Sequence, residues 1–96
     1  MRAERNDGEL CDIVVVANQR GLHARAAAKF VRVADSFRAE ISVAKDDMRV
    51  SGRSIMGLMM LAAPTGACLT ICASGDDAAA AMEALANLVK RKFDED

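Results

Sequence analysis

The chain has no tryptophan and no tyrosine, and three phenylalanines are the only aromatic residues of its 96. Proteins that read exposed bases stack them on aromatic rings, and such a platform is missing. Histidine is scarce too. His23 stands alone, so a His-rich metal site within one chain is excluded. An excess of one charge is also lacking. Thirteen Lys and Arg face fourteen Asp and Glu, for a formal net charge of -1. A nucleic-acid binder carries a basic excess or stripe, and none is visible. Apolar runs fall far short of the ~20 residues of a membrane span, and residues 1–9 hold no apolar core of a secretory signal. These features predict a cytoplasmic protein without a membrane span or a nucleic-acid partner. Cys11, Cys68 and Cys72 form no CxxC pair and no zinc spacing. They read as free thiols of a reducing compartment, used as small buried hydrophobes. No metal and no cofactor are expected.

What the chain does have is aliphatic. Hydrophobic residues make up 52% of the sequence, enough for one compact domain at this length. Residues 1–9 are charged and aperiodic, and read as a disordered tail ahead of a domain at 10–96. Leu10 to Ala17 is β-branched and apolar, a strand with Cys11, Ile13 and Val15 on one face. Asn18 to Gly21 is a turn. From Ala24 to Phe37, Ala27, Phe30, Val31, Ala34 and Phe37 recur at helical spacing. Glu40 to Lys45 alternates with period 2. Asp46-Asp47 turns the chain, and Met48 to Ser51 returns as a short strand. Ser54 is placed to cap a short helix over Ile55 to Leu61. Pro64-Thr65-Gly66 breaks the chain. Ala67 to Ser74 is a strand with Leu69, Ile71 and Ala73 on one face. The last helix opens at Gly75-Asp76-Asp77 and carries an apolar stripe of Met82, Leu85, Ala86, Val89 and Phe93. The order β-α-β-β-α-β-α predicts an α+β fold. Four strands would form a mainly antiparallel sheet with the helices on one face.

His23 follows a glycine turn and precedes an amphipathic helix. The first turn of a helix has backbone N–H groups without intrahelical partners, and its dipole favours an anion. Arg25 adds a planar guanidinium suited to phosphate. Gly21 permits close backbone approach. The same helix end disfavours imidazolium, so it favours a neutral ring with one nitrogen free to act as a nucleophile. A nitrogen–phosphorus bond is labile, which suits a group that is passed on. No second histidine and no nucleophile–base pair of recognisable spacing point to a hydrolase.

The stretch Gly21-Leu22-His23-Ala24-Arg25, followed by Ala27-Ala28-Lys29-Phe30-Val31, resembles the active-site segment of the HPr family. These are histidine-containing phosphocarriers of the bacterial phosphoenolpyruvate-dependent phosphotransferase system. Gly52-Arg53-Ser54-Ile55-Met56-Gly57-Leu58-Met59 resembles the regulatory-serine segment of the same family. Spacing and element order agree from about residue 10 to 93. The resemblance implies an HPr-like open-faced β-sandwich. It implies that His23 accepts a phosphoryl group on Nδ1, the pros nitrogen, from phospho-enzyme I and donates it to enzyme IIA domains. Arg25 would steady the group. The chain would be a carrier and not an enzyme, and a monomer. One departure is Ala26, where the family usually has proline.

The resemblance also implies that HPr kinase/phosphorylase modifies Ser54. Ile55, Met56, Leu58, Met59, Met60 and Leu61 cannot all face inward on one short helix. Leu58 and Leu61 are expected in the core, and Ile55, Met56, Met59 and Met60 offer flexible apolar side chains that suit a surface meeting several partners. With Arg20, which would favour acidic partners, Ile55, Met56, Met59 and Met60 are the expected docking residues. A second expectation is a regulatory binding protein of a nitrogen-type phosphotransferase system, with little role in sugar uptake.

Overall fold

The computed structural model describes residues 2–4 and 8–95. Strands β1 (Arg2–Glu4), β2 (Leu10–Val15), β3 (Glu40–Lys45), β4 (Met48–Ser51) and β5 (Cys68–Ser74) form one sheet. Its order is β1-β2-β5-β3-β4, and every neighbouring pair is antiparallel. The expected four strands are all present. Arg2–Glu4, within the segment read as a tail, adds a short fifth strand at the edge against β2. Residues 1 and 5–7 of that segment lie outside the described residues.

One face of the sheet is covered and the other is open. Val14, Ile41, Val43, Leu69, Ile71 and Ala73 are buried beneath the helices. The period-2 alternation sends Ile13 and Val15 to the opposite face, where they are 58% and 52% exposed. Helix α1 (Ala24–Asp35) buries Ala26, Ala27, Phe30 and Ala34. It stops two residues before the expected Phe37, where Ser36 N–H donates back to the Val33 carbonyl. Helix α2 (Ile55–Met60) buries only Leu58. Helix α3 (Ala78–Lys90) presents Met82, Leu85, Ala86 and Val89 to the core.

Two expectations need correction. Cys11 and Cys72 are not free thiols but a disulfide, with Cα atoms 4.1 Å apart and 61 residues between them in sequence. The β2–β5 register sets these residues directly opposite each other, a proximity that sequence spacing does not reveal. Cys68 is a free thiol, as expected, but it is exposed and not buried as a small hydrophobe. Phe93 is buried as predicted, but not on the helix. The helix ends at Lys90, and a separate tight turn at Lys92–Asp94 inserts the ring into the core.

Candidate functional site

His23 is the N-cap of α1. Its backbone is extended, its carbonyl accepts the first helical bond from Ala27 N–H, and its Nδ1 accepts from Arg25 N–H at 3.3 Å. The preceding turn is fixed from below. Gly21 has φ +71°, and a Cβ there would sit 2.5 Å from the Ala63 carbonyl oxygen. No larger residue fits this left-handed, crowded position without displacing backbone. Leu22 N–H donates to that same Ala63 carbonyl at 2.9 Å. The loop after α2 is thereby joined to the histidine turn.

Asn18 ties the other side. It is fully buried, and its Nδ2 donates to the Gly21 carbonyl at 2.7 Å and to Glu95 Oε1 at 3.0 Å. Glu95 Oε2 lies 2.6 Å from His23 Nε2. Burial pushes the Glu95 carboxyl up, but hydrogen bonds from Asn18 and His23, with the positive charge of Lys29, hold it below its ordinary value of 4.5. An ionised carboxylate only accepts, so the proton of this bond sits on Nε2. Nδ1 then keeps its lone pair, directed at the start of α1.

The tail that delivers Glu95 is conformationally costly. Lys92, Phe93 and Asp94 have φ of 62°, 56° and 61°, and each left-handed non-glycine residue costs on the order of 1 kcal/mol. The buried Phe93 ring holds the turn in place. So do Lys29 Nζ donating to the Phe93 carbonyl at 2.9 Å and the Arg91–Asp94 ion pair at 2.9 Å.

Glu95 also lines a cavity of about 290 Å³, together with Gln19, Arg20, Arg25, Lys29 and Asp94. Arg20 and Arg25, both expected near His23, are brought to it. Lys29 joins them as a third cation. Its position two turns into α1 places it on the same side as Arg25, a spacing legible in the sequence. Glu95 and Asn18 carried no such signal.

Ser54 is the N-cap of α2, and its Oγ accepts from Gly57 N–H at 2.9 Å. The neighbouring Arg53 is committed to α1. Its guanidinium donates to the carbonyls of Ala34, Phe37 and Ala39 at 2.7–3.1 Å and pairs with Asp35. Those carbonyls lie at or beyond the end of α1, where intrahelical donors run out. On α2, Met56 is 75% and Met60 63% exposed, with Ile55 and Met59 also exposed. Leu58 and Leu61 point inward.

Residues 11–91 match the family model described as the PTS HPr component phosphorylation site. The chain is 48% identical over 82 residues to the phosphocarrier protein HPr of Neisseria meningitidis serogroup B, covering 85% of this chain and 92% of that one. It is 43% identical over 82 residues to the phosphocarrier protein NPr of Shewanella violacea, covering 85% and 90%. Among solved structures, HPr-C-His from Thermoanaerobacter tengcongensis superposes with a TM-score of 0.86 at 41% identity, over 90% of this chain and 97% of that one. The chain therefore belongs to the HPr family of phosphocarriers, and its fold is the HPr open-faced sandwich. No helix among the described residues is long and apolar enough to cross a membrane.

Proposed function

We propose that His23 carries a phosphoryl group on Nδ1, taking it from phospho-enzyme I and giving it to enzyme IIA domains of the phosphotransferase system. The observation that carries this reading is the Nε2 contact with Glu95 at 2.6 Å. It leaves Nδ1 as the nucleophilic nitrogen at a helix start, and the same Glu95 lines a cavity with Arg20, Arg25 and Lys29. Transfer would break the bond from phosphorus to its donor atom as the Nδ1–P bond forms. The protein contributes positioning and charge. Arg25 steadies the phosphoryl oxygens, and the unpaired amides of the first turn of α1 supply neutral donors. Ile55, Met56, Met59 and Met60 dock the partners, with Arg20 attracting acidic ones.

The test is a relay with enzyme I and labelled phosphoenolpyruvate. The expected label is acid-labile and base-stable, and His23→Ala removes it. Undiminished label in that variant refutes the reading. Ser54 is proposed as the site of HPr kinase/phosphorylase. Cognate kinase with ATP should modify the wild type and not Ser54→Ala. The relative named NPr favours a second reading, a nitrogen-type regulatory carrier. Transfer to a nitrogen-type enzyme IIA that outpaces transfer to sugar-specific acceptors would select it.

A further inference from the structure

The carrier reading assigns no role to Glu95, yet both of its carboxylate oxygens are engaged at the site. Oε2 lies 2.6 Å from His23 Nε2, and Oε1 accepts from the buried Asn18 amide at 3.0 Å. That amide also holds the Gly21 carbonyl, so one side chain ties the histidine turn to the C-terminal segment. The segment adopts three consecutive positive φ angles without a glycine. A tail with freedom to choose would relax out of that conformation. It is held by the buried Phe93 ring, by Lys29 on the Phe93 carbonyl and by the Arg91–Asp94 pair. These anchors all hold residues within four of Glu95, and their combined effect is to fix its carboxylate against the ring.

We propose that Glu95 is a positioning residue for phosphoryl transfer at His23. It keeps the proton on Nε2 and offsets the positive charge that the ring acquires when Nδ1 takes the phosphoryl group. This rests on the carrier reading of His23. In the resting ring the proton is on Nε2 and the lone pair on Nδ1. Nδ1 attacks phosphorus, and the electron pair of the broken bond leaves with the donor. The ring becomes a cation that still holds its Nε2 proton, facing the Glu95 carboxylate. On donation the Nδ1–P electron pair returns to Nδ1. The ring then departs as neutral imidazole instead of imidazolate, because the proton never moved. Arg20, Arg25 and Lys29 share the cavity with Glu95 and counter the repulsion between its carboxylate and the incoming phosphoryl oxygens.

The experiment compares wild type, Glu95→Ala and Glu95→Gln by two readouts. Long-range 1H–15N spectra of His23 report which nitrogen carries the proton. The initial rate of labelling from enzyme I and phosphoenolpyruvate reports transfer. The wild type should show an Nε2–H ring. In Glu95→Ala the signals should move toward a mixture of tautomers, and the rate should fall about tenfold through loss of one charge-assisted hydrogen bond. Glu95→Gln keeps an acceptor but loses the charge, so it should retain the Nε2–H signature with a rate between the two. Unchanged ring signals in Glu95→Ala overturn the proposal, even if the rate falls, because the residue would then act on docking. Changed ring signals with an unchanged rate overturn it as well. A wild-type protein that takes no label refutes the carrier reading itself, and the ring spectra still decide whether Glu95 holds Nε2.

Discussion

Two helices in this chain begin on a residue whose side chain caps its own backbone, and they commit the capping atom differently. At α1 the His23 Nδ1 accepts from Arg25 N–H across 3.3 Å, a long bond. At α2 the Ser54 Oγ accepts from Gly57 N–H at 2.9 Å, a firm cap. The surroundings differ as well. The Glu95 partner of His23 lines a cavity with Arg20, Arg25 and Lys29. Ser54 leads into Ile55, Met56, Met59 and Met60, and its neighbouring cation, Arg53, is spent on the end of α1. The two helix starts are therefore not equivalent as places for a phosphoryl group. What separates the two is how loosely the capping atom is held and how much positive charge stands nearby. A phosphoryl group arriving on Ser54 would have to give up an existing cap. One arriving on His23 displaces little.

The comparison can be broken from the α2 side first. Leu58 is the one residue that α2 buries, so Leu58→Ala should cost about 2–5 kcal/mol. Met56→Ala, at an exposed position, should stay within about 0.5 kcal/mol while slowing transfer from enzyme I. Urea denaturation alongside the relay assay separates the two. Next comes the joint between the helix starts. Gly21→Ala adds a left-handed alanine and a clash with the Ala63 carbonyl, and should cost about 2 kcal/mol or more. Ser54→Ala removes the firm cap and should cost about 1 kcal/mol, a fall in Tm of roughly 4–8 °C for a domain of this size. Phosphorylation of His23 should persist in that variant. An effect on stability below that of Ser54→Ala is expected for Ala26→Pro. Ala26 is the third residue of α1, where the N–H has no intrahelical partner. Stability should change by less than about 1 kcal/mol, so any change in transfer rate would report on the first turn alone.

Most elements were legible because local periodicity and punctuation decide them. The hairpin at 40–51 follows from strict alternation around Asp46-Asp47, and the N-caps at His23 and Ser54 follow from turn residues ahead of apolar runs. The parts that escaped depend on partners distant in sequence. Nothing near Cys11 announces Cys72, because only the β2–β5 register brings them together. Arg53 reads as one more surface charge until the end of α1 lies beside it. The final turn was hidden for a different reason. Lys92-Phe93-Asp94 has no glycine or asparagine to signal left-handed backbone, so the helical stripe reads straight through to Phe93. With the turn invisible, the approach of Glu95 to His23 was invisible too.

The course of that turn bears on how the protein is handled at the bench. Whatever is joined to the chain after Asp96 starts just beyond the carboxylate that touches His23. A purification tag fused there would begin two residues from Glu95, and kinetics measured on such a fusion would mix the tag with the tail. A tag fused ahead of Arg2 would instead extend from β1 at the edge of the sheet.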